Sequence, residues 1–502
     1  MISTWPATAS CSARPDDQTT PMIGDEDLQL LADFGARLDG VHSQADQKLA
    51  LQIESVDQAD RAAHELVAEL EARYFAIDGT AEAADEQARI WGAISLYCAQ
   101  LESAYTYLAR QFQTYSLGWA EVGDKIPLVV ARAIRATSMR LKWQLMRYLP
   151  VEKDIWQTLA QMWTFVEDKG MTGARVVVYE DKSTLPCEFL KPMMMAVSAA
   201  DSLPALEVEV AYRIIDHLSD RFELQRHPAK ACNFYFDIDR WAPPLRYTAA
   251  SVVRSGSRFF GAGSVIAHLD QLTSRLAGGE LVPREMNLEG INDMGAVVHV
   301  LEHLGRHWWE RRPERKAERR RSLSQIGVVY GFGEVMTRFA DELADQMRAP
   351  ADTWGVENES DGGYGAVLPM GSGEWLQVGK VLAIKPEGSR VWGVGIVRRL
   401  AAQDGGQRHV GIELLARGAR QVTLRQRTDG QLFCKALLLP SNSGGGASQG
   451  EVIVLLPAGS FSSESNLELE VYSTSYILEP RILLESGNEF EMARYRIVSR
   501  AV

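Results

Sequence analysis

Two short polar segments carry the residue types best suited to hold a phosphorylated, planar ligand. The first is RRPERKAERRR at 311–321, which contains seven Lys or Arg and only two Glu. The second is NESDGGYGAVLP, which begins at Asn358. Guanidinium groups form paired hydrogen bonds with phosphate and fit the edge of guanine. Asn and Ser add polar side chains in a turn without bulk, so the two segments together predict an anion site.

The overall charge makes this basic cluster a local feature. The chain has a formal net charge of −13, so its field repels the backbone of nucleic acids, and we predict no nucleic-acid partner. The apolar runs are shorter than the roughly 20 residues that a membrane helix needs, so no membrane span is predicted. The five cysteines are scattered and form no CxxC pair, which is typical of a reducing compartment. We therefore expect a cytoplasmic protein.

The 502 residues are too many for one ordinary core and predict about three domains. The fold class indicated is multidomain α+β. Apolar residues recur three and four apart in the first half, which predicts a helical bundle, and short alternating runs divided by Gly, Ser, Asp and Pro follow from about 354. The predicted divisions are a disordered leader at 1–22, a helical bundle at 23–225, a mixed and mainly helical connector at 226–310, an antiparallel β-barrel with an N-terminal arginine arm at 311–420, and a C-terminal β module at 421–502 that either completes the barrel or packs on it.

The arm and the turn together resemble the PilZ domain family of bacterial cyclic di-GMP receptors. The family pattern is RxxxR, then a strand, then D/N-x-S-x-x-G on the surface of a barrel. Arg315 and Arg319 fit the first element, as do Arg311 and Arg315, so the register of the arm stays open. The second element is fitted by Asn358, Ser360 and Gly363.

The resemblance implies a non-catalytic receptor for cyclic di-GMP, with no other cofactor and no metal. It implies that arm arginines grip phosphate and the guanine edge, that Asn and Ser contact the base, and that Gly363 lets a flat base approach. An arm that orders over the ligand would move the helix before it and so signal to the helical half, through which a protein partner would bind. The implied ligand-binding residues are Arg311, Arg315, Arg319, Arg320, Asn358, Ser360 and Gly363.

One departure from the family pattern favours an alternative function. The 39 positions from Arg319 to Asn358 exceed the usual spacing. We expect a strand near SQIGVVYGF and an amphipathic helix at MTRFADELADQM within this segment. If the insertion displaces the arm, the protein is a protein-interaction scaffold with a degenerate PilZ-like barrel.

A third hypothesis is an enzyme with its site in the 170–300 region. Asp237 and Asp239 would share one face of a strand, and paired carboxylates can hold a metal. His299, His303 and His307 follow one another at four-residue steps on a helix face. Neither group forms a complete catalytic set, so turn-forming carboxylates and packed histidines are the simpler interpretation.

Overall fold

The computed structural model describes residues 25–44, 46–77, 81–114, 119–291, 293–309, 318–340, 350–369, 375–403, 406–426, 432–440, 450–471 and 474–499. The leader predicted at 1–22 and two of the predicted site residues, Arg311 and Arg315, lie outside these ranges. The helices come first along the chain and the barrels last, which confirms the predicted order of helical and β regions.

The helical half is built around one cluster of buried residues that runs from Leu31 to Trp308. Apolar side chains at three- and four-residue steps give each long helix one buried face, and these faces meet in the cluster. Residues of both 23–225 and 226–310 belong to it. Its helices are α1 (Asp25–Asp39), α2 (Leu49–Ala76), α3 (Ala81–Thr114), α4 (Trp119–Val122), α5 (Ile126–Met146), α6 (Lys153–Asp168), α7 (Leu185–Ala196), α8 (Ala205–His217), α9 (Val265–Ala277) and α10 (Met294–Trp308).

Short strands interrupt these helices. A hairpin joins β1 (Arg175–Val178) to β2 (Asp181–Thr184), and a second sheet has the order β3-β6-β4-β5. The strand that the sequence analysis expected to carry Asp237 and Asp239 is β4, which ends at Asp237. The four strands of this sheet are β3 (Glu223–Gln225), β4 (Phe234–Asp237), β5 (Leu245–Arg246) and β6 (Ser257–Gly261).

A buried carboxylate ties α2, α3 and α5 together. Asp60 accepts hydrogen bonds from the hydroxyls of Tyr105 (2.7 Å) and Tyr179 (2.6 Å) and pairs with Arg132 at 2.8 Å. Burial of an isolated charge is unfavourable, and these three partners offset the desolvation cost of the Asp60 carboxylate. Removing any one of them would leave a buried polar group unsatisfied, and the cluster therefore fixes the relative position of the three helices.

The first barrel closes within the described residues through six strands in the ring order β8-β9-β10-β13-β12-β11. A short extra strand, β7 (Arg320–Arg321), pairs with β9 at the rim. This confirms the predicted antiparallel barrel. The ring strands are β8 (Gln325–Tyr330), β9 (Asp352–Ser360), β10 (Gly363–Pro369), β11 (Val381–Pro386), β12 (Gly393–Gln403) and β13 (Gln407–Ala416).

The segment between the arm and β9 contains a strand and a helix, in the predicted order. SQIGVVYGF supplies β8, but the helix α11 (Phe332–Arg338) begins earlier than the expected MTRFADELADQM. The chain turns at Gly331, whose φ of 83° suits glycine, and the helix starts directly after this turn. Residues 341–347, the second part of the expected helix, lie outside the described residues.

The C-terminal strands form a second closed barrel and do not complete the first. Its order is β14-β15-β16-β19-β18-β17. Val335 and Met336 of α11 pack between the two barrels, beside Ile396 of the first and Leu455 of the second. The strands are β14 (Arg420–Gln426), β15 (Leu432–Leu439), β16 (Glu451–Pro457), β17 (Leu467–Val471), β18 (Thr474–Ser486) and β19 (Phe490–Ser499).

One tyrosine joins the helical half to the first barrel. Tyr148 follows α5 and has a φ of 52°, yet its ring packs in the barrel's own core cluster. Its hydroxyl donates to the carbonyl of Leu203 (3.0 Å) and accepts from the amide of Val378 (3.3 Å). Leu203 belongs to the helical half and Val378 to the barrel, so a single buried side chain is bonded to both.

Candidate functional site

A β-bulge places Asn358, the first residue of the polar motif, on the outside of the first barrel. Val356 lies opposite Ala366, but the next pair is Asn358 with Gly365, so Glu357 is an extra residue on β9. Val356 and Ala366 face the barrel core. With strict alternation Asn358 would also face inward, and the extra residue turns it onto the outer surface beside Gly365. Bulges commonly redirect a side chain in this way beside functional sites.

Two glycines leave a bare patch next to Asn358. Gly365 pairs with Gly411 of β13, and Gly411 pairs with Arg399 of β12. A Cβ on Gly365 would lie 2.6 Å from the side-chain amide of Asn358, and one on Gly411 would lie 3.2 Å from Cβ of Arg399. All four residues therefore share the outer face. We call Gly365 and Gly411 the glycine floor; Asn358 borders it on one side and Arg399 on the other.

Asn358 has an acceptor that the protein leaves unused. Its Oδ1 is buried and makes no hydrogen bond among the described residues. A buried acceptor without a partner is unfavourable by about 1–3 kcal/mol, and such atoms are uncommon in folded proteins. An incoming hydrogen-bond donor, such as the amino or imino group of a base, would satisfy it.

Ser360 and Gly363 form the next row of the same face. They are opposite each other in the β9–β10 ladder, and the Ser360 hydroxyl lies 3.5 Å from the Gly363 carbonyl, which is long for a hydrogen bond. Gly363 has a φ of 154°, and a Cβ there would lie 1.9 Å from the Ile412 carbonyl oxygen. The resemblance implied that this glycine serves the approach of a base, but the close backbone of β13 already requires it.

The end of the arginine arm reaches this site despite the long insertion. Arg321 is directly opposite Asn358 and Arg320 is opposite Glu359. The Ser322 amide then donates to the Glu357 carbonyl at 2.9 Å. Opposite residues share a face, so Arg321 joins the row of Asn358 and Arg320 lies on the other face. The 39-position gap folds back on itself and does not separate the two motifs.

The predicted arm residues are thus only partly placed. Arg319 and Arg320 are exposed at the barrel rim. Sequence reasoning did not single out Arg321 or Arg399 as site residues. The two-residue period of a strand offered a signal for Arg321, since it lies two positions after the motif residue Arg319. Arg399 is distant in sequence and carries no motif.

The last described residues before the arm, 307–309, are held by the helical half. Arg246 donates to the carbonyls of His307 (2.5 Å) and Trp309 (2.7 Å), and Asn233 donates to that of Trp308 (3.1 Å). Trp308 itself is fully buried. These bonds satisfy the carbonyls that a helix C-terminus leaves open. The last turn of α10 is therefore fixed in the helical core.

The two aspartates weighed as an enzyme site form a turn. Asp237 accepts a hydrogen bond from the backbone amide of Asp239 at 3.1 Å, and its other oxygen lies 3.5 Å from Arg254. Gly256 packs against both carboxylates, where a Cβ would lie 2.2 Å from Asp239. The arrangement is that of a side chain that closes a turn on its own backbone.

The histidines of α10 have structural partners. His303 is buried and its Nε2–H donates to the Ser198 carbonyl at 2.7 Å. Burial, and then neighbouring His307, lower the pKa of His303 to about 3. A hydrogen bond that Nδ1–H of His299 donates to the Glu207 carboxylate (2.9 Å) instead raises the pKa of His299. Among the described residues, no group of three or more His, Cys, Asp or Glu could hold a metal ion.

Comparison with known families matches two separate parts of the chain. Residues 25–229 match the family model described as the N-terminal domain of the cyclic-di-GMP receptor FimW, and residues 337–420 match that of its middle PilZ domain. The second range contains Asn358, Ser360 and Gly363 but begins after the arginine arm. No curated protein matches the sequence. In the part of the chain that the structure describes, no helix is long and apolar enough to cross a membrane.

The two matches agree with the architecture. The first lies within the helical half and the second covers most of the first barrel, and together they span more than half of the chain. The chain therefore belongs to the family of PilZ-domain cyclic-di-GMP receptors that these models describe.

Proposed function

We propose that this chain is a non-catalytic cytoplasmic receptor that binds cyclic di-GMP on the glycine floor of its first barrel. The observation that carries the proposal is the bulge at Glu357. It brings Asn358, with an unused buried acceptor, onto the outer face beside two glycines. A flat base can lie where no side chain projects, and the Asn358 acceptor gives that base a polar contact.

Arginines supply the charge that the ligand requires. Cyclic di-GMP carries two phosphodiester groups and two guanines, and a guanidinium can bond either a phosphate or the guanine edge. Arg321 shares the row of Asn358, and Arg319 lies two residues before it. The arm residues Arg311 and Arg315 remain candidates from their sequence positions. The hydroxyl of Ser360 is near enough to the floor to contact a base.

Two further parts of the proposal rest on the surroundings of the site. The free thiols of the described cysteines, Cys98, Cys187, Cys232 and Cys434, support a reducing compartment such as the cytoplasm. The buried hydroxyl of Tyr148 is bonded to both the helical half and the barrel, which supports communication between them. Any protein partner would then sense the ligand through the helical half.

Isothermal titration calorimetry with cyclic di-GMP tests the proposal. We expect micromolar or tighter binding by the full chain. Truncation of a residue bonded to a charged phosphate removes about 1.5–3 kcal/mol, so Arg321→Ala weakens binding at least tenfold. Arg320→Ala is the matched control, since it removes the same charge from the opposite strand face, and we expect a smaller loss. Asn358→Ala and Ser360→Ala should each weaken binding as well.

The outcomes separate the hypotheses. Binding that is lost equally in both arginine variants would show that net charge, and not the outer face, sets affinity. An absence of heat at high ligand concentration would refute the receptor function of this chain and favour the scaffold with a degenerate barrel. The scaffold predicts a co-purified partner whose binding is the same with and without nucleotide.

A further inference from the structure

We infer that Arg399 is an additional ligand-binding residue, and that the ligand must draw it away from Asp201 of the helical half. The inference rests on the proposed function and adds to it the regulation of the same site. It assigns the far border of the glycine floor to a phosphate group. It also makes ligand binding and the Arg399–Asp201 contact between the helical half and the first barrel mutually exclusive.

Arg399 stands across the floor from the motif residues. Asn358, Gly365, Gly411 and Arg399 follow one another on four neighbouring strands. Three strand spacings separate the two ends, which is about 14 Å. The Arg399 side chain is 62% exposed and its Cβ lies on the floor side of β12. A dinucleotide resting on the glycines would therefore have Asn358 at one end and a guanidinium at the other.

A second bulge gives Arg399 this position. Val397 pairs with Ile412 and Arg399 with Gly411, so Arg398 is the extra residue on β12. Val397 faces the barrel core, and the inserted residue leaves Arg399 on the outside. The floor is thus bordered by two redirected strands, β9 and β12.

The guanidinium of Arg399 is at present held by the helical half. Its Nε and Nη2 both lie 2.6 Å from Oδ2 of Asp201. Asp201 is part of the 3-10 helix Ala200–Ser202, which packs against β12. The edge formed by Nε and Nη2 is one of the two edges on which a guanidinium can donate paired hydrogen bonds to a phosphate. A phosphate that binds this edge displaces the Asp201 carboxylate from it.

The neighbouring arginine is not available in the same way. Arg398 contacts Glu413 at 2.6 Å and also pairs with Glu485 of the second barrel. Two carboxylates already neutralise it, and it is less exposed than Arg399 (33% against 62%). Arg399 has one carboxylate partner in a well-solvated position, and exposed pairs of this kind contribute little to stability. A ligand with two phosphate charges can therefore outcompete Asp201.

Thermodynamic linkage gives the consequence. If the ligand takes Arg399 from Asp201, the contact between the helical half and the barrel weakens when the ligand binds. By linkage, this contact lowers the affinity for the ligand by the same factor. The 3-10 helix Ala200–Ser202 directly precedes Leu203, whose carbonyl is bonded to Tyr148. Release of Asp201 would thus break the exposed contact between Arg399 and Asp201 and leave the buried contact between Tyr148 and Leu203 in place.

A double-mutant cycle on the full chain tests the inference, with cyclic di-GMP titrated by calorimetry. Asp201→Asn removes the competing charge and keeps the side-chain shape. An exposed ion pair is worth up to about 1 kcal/mol, so we expect affinity to rise about two- to fivefold. Arg399→Ala should weaken binding about tenfold or more through loss of a charged phosphate contact. In the double variant, Asp201→Asn should give no gain, since there is no arginine to release. Arg390→Ala, in the exposed β11–β12 loop, is the control for lost charge.

Hydrogen exchange provides a second measurement that a purely structural role would not change. We expect the amides of Ser202 and Leu203, which close the 3-10 helix, to exchange faster when cyclic di-GMP is bound. Slower or unchanged exchange with bound ligand would overturn the inference.

The failures can be told apart. If the wild-type chain binds and the Arg399 and Asp201 variants bind equally well, the inference is wrong and the proposed function stands. If Asp201→Asn weakens binding, the ion pair supports the site and does not compete with it, which also overturns the inference. If the wild-type chain does not bind, the proposed function and the inference fall together.

Discussion

Stability should respond very differently when one methyl group is added at Gly363 and when it is added at Gly365. A Cβ on Gly365 would meet the side-chain amide of Asn358 at 2.6 Å, whereas a Cβ on Gly363 would meet the backbone carbonyl of Ile412 at 1.9 Å. A side chain can rotate away from a new methyl group. A backbone carbonyl within a ladder cannot move without breaking the ladder.

The expected magnitudes follow from these contacts. In Gly365→Ala, moving Asn358 off its preferred rotamer costs about 0.5–1.5 kcal/mol. Loss of chain entropy in the unfolded state offsets this by about 0.4–1 kcal/mol, because Gly365 lies outside the left-handed region. The free energy of unfolding should therefore change by less than about 1 kcal/mol. In Gly363→Ala, the unfavourable φ adds about 1–3 kcal/mol before the clash with Ile412 is counted.

The effect of Gly365→Ala on ligand affinity should be large even though its effect on the free energy of unfolding is small. Gly365→Ala displaces the Asn358 amide and puts a methyl group on the floor, so affinity for cyclic di-GMP should fall at least tenfold, equivalent to about 1.4 kcal/mol. Urea unfolding and calorimetric titration of one preparation measure both effects. The reasoning is refuted if Gly365→Ala binds like the wild type, or if it destabilises the protein as much as Gly363→Ala.

Two other residues give predictions that do not involve the ligand. Tyr148→Phe removes the hydroxyl bonded to the Leu203 carbonyl and the Val378 amide, so it should destabilise the protein by about 1–3 kcal/mol; an unchanged thermal unfolding profile would contradict this. The pKa of His303 lies near 3, below the ordinary 6.5, so the unfolded chain binds the proton first and stability falls as pH drops below about 6.5. The loss due to His303 should reach about 2 kcal/mol at pH 5 and should be missing in His303→Phe, which keeps the ring but cannot titrate. An equal pH slope in both proteins would show that burial does not keep His303 neutral.

Local patterns in the sequence predicted which segments form helices and strands better than they predicted which strands pair with one another. Helical periodicity and strand alternation located the helical half and the β regions correctly. They could not decide whether the last strands complete the first barrel, because closure depends on which distant edges pair. The early start of α11 was missed for a local reason, the turn at Gly331. The domain limits predicted around 225 and 310 stay predictions.

The site shows the same division between local and distant information. Asn358, Ser360 and Gly363 were predicted from the sequence motif, and the structure brings all three to one face of the barrel. The bulge that exposes Asn358 depends on the register between β9 and β10, which no single segment reveals. Arg399 reaches the floor only through the pairing of β12 with β13. Its role therefore could not be inferred before the strands were placed.

The extra residue at Glu357 has a consequence for recognising binders among other sequences. The motif letters alone do not decide which face of the strand carries the asparagine, because that face depends on how β9 pairs with β10. A chain with the same letters and the same spacing, but with an unbroken β9–β10 register, would turn the asparagine toward the barrel interior. A motif search that reads only the letters would count such a chain as a receptor. The pairing of two strands thus separates a motif that is merely present from one that can bind.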